Sequence, residues 1–120
     1  MINRPYDGIS IQNFADWVEA GWTRKVFNEQ DATRELAVMA LGLPGEVGET
    51  IELIKKELRG DGPLDKAKLT LELGDVLHYL CRIAQHYDIS LNEIMVGNIE
   101  KIEARRGKRA WEQNAVHSAA

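Results

Sequence analysis

The residues best suited to chemistry in this chain are two pairs of acids. Glu46 and Glu49 stand in GLPGEVGE at 42–49, and Glu72 and Asp75 in ELGD at 72–75. A spacing of three residues puts both acids of a pair on one helix face. Two adjacent helices can therefore turn four carboxylates toward one pocket. Carboxylates brought that close repel strongly at low dielectric, and cations must neutralise them for the cluster to persist. Hard oxygen donors select Mg²⁺, with Mn²⁺ as a substitute, over zinc. Mg²⁺ leaves positions open for water and phosphate oxygens, so such a cluster suits an anionic substrate. Either pair alone describes an ordinary solvated helix face. The glycines add weight, because Gly48 and Gly74 each lie inside a pair, where glycine costs about 1 kcal/mol relative to alanine. Close approach of a ligand, a metal or a neighbouring helix is the expected reason for them.

A second polar group lies nearer the C-terminus. Asn98, Lys101 and Arg105 recur at i, i+3 and i+7 and share a helix face. Leu91, Met95 and Ile102 define that helix's core stripe, and Asn98 and Arg105 fall close to its centre, where polar groups need partners. Two readings stay open: Arg105 pairs with a buried acid, or the group forms a phosphate- and sugar-binding edge opposite the carboxylates. Lys56 lies off the core stripe of its helix, as Glu46 and Glu49 do. Leu53 falls between them, which hints that this second face is covered. Glu72 and Asp75 share a side of their helix with Tyr79, Arg82 and His86.

Four helices must position these groups. The first runs from the N-cap Ser10 to about Trp22, with Ile11, Phe14 and Val18 on one stripe. The second spans about Asp31 to Leu58, its apolar stripe Leu36, Ala40, Leu43, Val47, Ile51, Ile54 and Leu58 keeping phase across Gly42, Pro44 and Gly45. Pro44 is expected to kink or interrupt it. After the loop Gly60-Asp61-Gly62-Pro63, the third runs from about Asp65 to Tyr87 around Leu69, Leu73, Val76, Leu80 and Ile83. Ser90 to Glu93 reads as a capping box that starts a fourth helix from Leu91 to about Arg106. No period-two alternation is sustained. Long helices with short connections imply an all-α fold, an antiparallel four-helix bundle.

Composition narrows the class. The 120 residues suit one domain, 1–120, with its core at about 10–106 and a loose polar tail over 107–120. A net charge of −4 argues against nucleic acid as a partner. No apolar run reaches the roughly 20 residues of a membrane span, and MINRPYDGIS has no signal-peptide core. The one cysteine, Cys81, sits in an apolar helical stretch and reads as a small buried side chain, in keeping with a cytoplasmic protein.

Taken together, GLPGEVGETIELIKK at 42–56, ELGDVLHYL at 72–80 and DISLNEIMVGNIEKIEARR at 88–106 resemble the MazG family of nucleotide pyrophosphohydrolases. The likeness covers most of residues 32–106, with 22 residues between the Glu-x-x-Glu and the Glu-x-x-Asp. It implies two or more Mg²⁺ ions held by Glu46, Glu49, Glu72 and Asp75, with Lys56, Asn98 and Lys101 on phosphates or sugar. The implied reaction converts a nucleoside triphosphate to monophosphate and pyrophosphate. Glu49 is the choice for the base that takes the attacking water's proton. Members build the bundle across subunits, which implies a homodimer or homotetramer. Phe14, Trp17 and Trp22 could stack a base and Asn13 and Gln12 read its edges, although aromatics at helical spacing more often form core. His78 departs from the family, where an aromatic residue is common.

Other classes remain as alternatives. The phosphoribosyl-ATP pyrophosphohydrolase of histidine synthesis shares the bundle and the acids. A carboxylate-bridged di-iron bundle would use Asp75-Val76-Leu77-His78 but needs a second acid-x-x-His, which is missing. A non-catalytic helical dimer that regulates a partner is the third.

Overall fold

A computed structural model describes residues 4–22 and 26–119, with side chains through Gly107. Four helices follow in order: α1 (Ile11–Gly21), α2 (Glu29–Arg59), α3 (Lys66–His86) and α4 (Leu91–Ala119). No strand occurs among the described residues. The all-α architecture expected from the periodicity is present.

Local chemistry sets the helix ends. Side-chain oxygens of Ser10, Asn28 and Asp65 accept the backbone N–H three residues on, capping α1, α2 and α3. Gly60 closes α2 with φ +90°, a left-handed turn that glycine adopts without a Cβ penalty. At the head of α4 the capping box is reciprocal. Ser90 N–H donates to Glu93 at 2.8 Å, and Glu93 N–H donates to Ser90 Oγ at 3.1 Å.

Two boundaries differ from expectation. α2 runs unbroken through Pro44, which the sequence suggested as a break. A proline forfeits one hydrogen bond, and α2's long packing against α3 holds the remaining turns in register. α4 extends beyond Arg106, interrupted only at Gly107, whose φ +59° and ψ −169° lie outside the helical region. The tail read as loose at 107–120 thus has helical backbone through Ala119, and Trp111's side chain lies outside the described residues.

The packed pairs are α2 with α3, α1 with α3, and α1 with α4. A small core joins Val18, Cys81, Ala84 and Leu91 where α1, α3 and α4 meet, flanked by Ile11, Phe14 and Ala15. Cys81 is fully buried there, as its apolar setting implied. On α2 the buried residues are Glu35, Met39 and Thr50. Burial lowers the pKa of the Arg82 guanidinium, opposed by the charges of Glu19 and Glu35, and Arg82 lies 4.1 Å from the Trp22 ring centroid. Gly42 on α2 makes room for the Tyr79 ring of α3, because a Cβ there would come within 2.7 Å of Tyr79 Cζ.

The apolar stripes fare differently from the sequence expectation. Val47, Ile51, Ile54 and Leu58 on α2, and Leu73 and Leu80 on α3, are exposed, Leu58 to 83%. Leu77 joins the α3 stripe, and Met95 on α4 is exposed as well. The four helices therefore do not close around one core within a single chain. The radius of gyration of 19.2 Å exceeds the about 14 Å of a compact domain of this length.

Candidate functional site

α2 and α3 run antiparallel, so the end of one acid pair meets the start of the other. One carboxylate oxygen from each of Glu46, Glu72 and Asp75 lies within 4.8 Å of the others. Glu46 Oε2 and Glu72 Oε2 are buried and have no hydrogen-bond donor. Glu49, the fourth acid, is exposed and stands beside Glu46 and Glu72 rather than in the trio. A hydrogen bond shared with its carboxyl group is the largest cause of the raised Glu72 pKa, followed by burial and the charges of Glu49 and Asp75; Lys68 opposes. Burial is the largest cause of the raised Glu46 pKa, ahead of the charges of Glu49, Asp75 and Glu72.

This electrostatic arrangement has a measurable consequence. Both acids hold a proton more tightly in the fold than in the unfolded chain. Their contribution is favourable at low pH and is lost as pH rises above the ordinary 4.5 through the raised values. The metal-free protein is therefore expected to melt at lower temperature at about pH 7 than at about pH 5, with Glu72→Gln flattening that slope. Calorimetry at both pH values checks it, and parallel profiles for the two proteins would exclude the cluster as the cause.

The donor set fits a divalent cation of the Mg²⁺ type. All donors are carboxylate oxygens, two are buried without a partner, and the burial and like charges around Glu46 are what such an ion would offset. On one side of the carboxylates, an open groove of about 590 Å³ is lined by Gly45, Gly48, Glu49, Glu52, Leu53, Lys56, Lys68 and Glu72. Gly48 is accounted for only in part. A Cβ at Gly48 or Gly74 meets open space, so no neighbouring helix of the chain explains either glycine. Gly48 instead keeps the groove open.

The structure brings some of the residues singled out in the sequence together and leaves others apart. Lys56 shares the groove with Glu49 and Glu72, and Leu53 is half-buried there. Lys68 was missed, although the signal was available: it precedes Glu72 by four residues and so shares its face. Asn98, Lys101 and Arg105 are all exposed, which corrects the expectation that Asn98 and Arg105 face a core. The reason is that α4 packs on α1 rather than along the α2–α3 pair. Trp17 is 55% exposed, stacks on Phe14 at 6.2 Å and meets His78 edge-on at 6.1 Å. His78 and Tyr79 follow Asp75 by three and four residues, so these aromatic groups begin one helical turn from the carboxylates. Trp22 instead covers Arg82, away from any base-stacking role the spacing suggested. Asn13 is exposed at the first turn of α1, where its N–H donates to Ser10, and Gln12 donates to Asp16.

Comparison with known proteins bears on the whole arrangement. The chain is 33% identical over 82 residues to the Gene 37 protein of Mycobacterium phage L5, covering 65% of this chain and 72% of that protein. No solved structure matches it. No helix among the described residues is long and apolar enough to cross a membrane. The model of the MazG nucleotide pyrophosphohydrolase domain matches residues 34–110, a span that contains all four acids, Lys56 and the polar group of α4. The chain belongs to the MazG nucleotide pyrophosphohydrolase family.

Proposed function

We propose that this chain hydrolyses a nucleoside or deoxynucleoside triphosphate to the monophosphate and pyrophosphate, in an Mg²⁺-dependent reaction serving nucleotide-pool control or house-cleaning. The observation that carries the reading is the convergence of Glu46, Glu72 and Asp75, two of them with unpartnered buried oxygens, in a chain of this family.

Glu46, Glu72 and Asp75 would hold the ion, with Glu49 free to hold a second or to act as base. Mg²⁺, when bound, supplies Lewis-acid polarisation of phosphoryl oxygens and neutralises the charge that develops on the leaving pyrophosphate. The chain's own residues do the rest. Glu49, outside the trio, accepts a proton from the water that attacks phosphorus, while the bridge between the α- and β-phosphates breaks to give monophosphate and pyrophosphate. Lys56 pairs with phosphate oxygens from the groove wall. Trp17, exposed beside His78, offers a face on which the base stacks, and Asn13 on the same helix reads its edge. Phosphorus NMR of a digest tests the reaction: monophosphate with pyrophosphate is expected, and diphosphate with orthophosphate would sink it.

The same reading includes a homodimer or homotetramer. The exposed stripes on α2 and α3 are long, apolar and uncovered among the described residues. Asn98, Lys101 and Arg105, exposed on an element that does not pack along α2, would then reach the phosphates or sugar held by a second copy. Lys101→Ala is expected to raise KM about tenfold with kcat within a factor of two. Unchanged saturation behaviour would remove Lys101 from the substrate. The proposed compartment is the cytoplasm, in keeping with Cys81 carried as a buried thiol.

A further inference from the structure

We infer that Lys68 on α3, paired across the groove with Lys56 on α2, is the cation that receives the terminal phosphates and binds the pyrophosphate product. This rests on the pyrophosphohydrolase reading and assigns direction to its groove.

Helix geometry carries the first step. α2 and α3 are antiparallel, so residues after Glu49 on α2 lie beside residues before Glu72 on α3. Lys56 follows Glu49 by seven residues, about 10 Å along the axis, and Lys68 precedes Glu72 by four, about 6 Å. Both lysines therefore lie on the same side of the carboxylates, toward the α2–α3 loop. Both line the one groove that also contains Glu49 and Glu72.

Charge carries the second. Among the described residues, Lys55 pairs with Glu52 at 3.3 Å and Arg59 pairs with Asp61, while neither Lys56 nor Lys68 is ion-paired. Lys68 precedes Glu72 by one helical turn and lines the groove, so its ammonium is available to meet another anion there. Its long stem can place the ammonium at any point along the groove beyond the carboxylates.

Shape carries the third. Gly45 and Gly48 line the groove, and a Cβ at either position would meet nothing within 4 Å. An exposed helix interior gains stability from alanine at such positions. Two glycines there leave room along the helix for a bulky, highly charged group. A phosphate chain whose α-phosphate end sits at the carboxylates, beside these glycines, would run on past Leu53 and finish between the two lysines.

The opposite direction, toward His78 and Trp17, is aromatic and suits a base. The groove thus has polarity: base beyond Asp75, phosphates toward the loop, and Lys68 at the pyrophosphate end. A helix position four residues before the acid motif becomes a product-binding residue.

Binding of inorganic pyrophosphate tests this without turnover, so that it and the reaction can fail separately. Thermal shift and calorimetric titration would compare wild type, Lys68→Met, Lys68→Arg and Lys55→Met, each with Mg²⁺ alone and with Mg²⁺ plus pyrophosphate. Expected is about tenfold weaker pyrophosphate binding in Lys68→Met, with retention in Lys68→Arg and Lys55→Met and an unchanged response to Mg²⁺ alone in all four. Pyrophosphate binding in Lys68→Met within a factor of two of wild type overturns the inference. So does an equal loss in Lys55→Met, which would mean general charge attraction, or a lost Mg²⁺ response in Lys68→Met. A wild type that binds no pyrophosphate overturns it as well. Absence of triphosphate turnover alongside Lys68-dependent pyrophosphate binding would instead retire the reaction and keep the site.

Discussion

Glu72→Ala is expected to lower turnover by roughly three orders of magnitude while helicity by far-ultraviolet dichroism stays near wild type. The size follows from what the side chain does. Glu72 supplies one of three converging carboxylates, and one of its oxygens is buried without any donor, so a bound cation would be the partner that satisfies it. Removing it deprives the ion of a ligand and the leaving pyrophosphate of its neutralising charge, a contribution of several kcal/mol to the barrier. The fold should tolerate the change, because the carboxylate sits in a repulsive cluster with Glu49 and Asp75. The metal-free variant is accordingly expected to melt at or above the wild-type temperature, and it should lose the stabilisation that Mg²⁺ confers. Turnover within a factor of three of wild type would take Glu72 out of the site. A variant that lost helicity would mean that the residue holds α3 on α2 instead, and Glu72→Gln would then be the variant to assay.

The second large effect concerns assembly. Ile51→Glu should break the oligomer and lower the melting temperature by several degrees or more. Val47, Ile51, Ile54 and Leu58 recur at i, i+4, i+7 and i+11, and Leu73, Leu77 and Leu80 at i, i+4 and i+7, so each set forms a stripe. All seven are exposed in the single chain. By helical phase the two stripes lie about a quarter-turn from the α2–α3 contact, on the side away from the groove of Lys56 and Lys68. Two copies packed through these faces would complete a four-helix core and leave both grooves open. Burying one such side chain contributes about 1.5–3 kcal/mol, and a carboxylate in its place adds a desolvation cost. Light scattering at micromolar concentration is expected to give a dimer or tetramer for wild type and a monomer for Ile51→Glu. A monomeric wild type would contradict the assembly.

Much of this was legible before any coordinates, for identifiable reasons. A carboxylate pair at i, i+3 fixes its own relative placement once the helix exists, so Glu46 with Glu49 and Glu72 with Asp75 could each be placed on one face from spacing. The trio of Glu46, Glu72 and Asp75, with Glu49 outside it, depends on how α2 packs on α3. Capping is local too, and Ser90 with Glu93 behaves as its residue types require. Burial was less legible. Apolar periodicity says that a face seeks cover, not which chain supplies it, so Ile51, Leu58 and Leu80 were read as core and are exposed. The same ambiguity misplaced Asn98 and Arg105, because only Leu91 at the start of that stripe is buried against α3, and Met95 beyond it is exposed. Pro44 was overweighted as a breaker, since long tertiary packing outweighs one missing hydrogen bond. Lys68 escaped notice because a lysine on a solvated face is ordinary until the groove beside it is visible.

The most direct measurement is a nucleotide panel. All common ribo- and deoxynucleoside triphosphates, together with phosphoribosyl-ATP, would be incubated with the full chain and Mg²⁺, with EDTA controls and chromatographic separation of products. Expected is conversion of a subset of triphosphates to monophosphate and pyrophosphate, abolished by EDTA and by Glu72→Ala. Turnover of phosphoribosyl-ATP alone would move the substrate to the histidine-pathway class. No turnover of any substrate, or turnover indifferent to EDTA, would contradict the assignment of Glu46, Glu72 and Asp75 as a catalytic Mg²⁺ site.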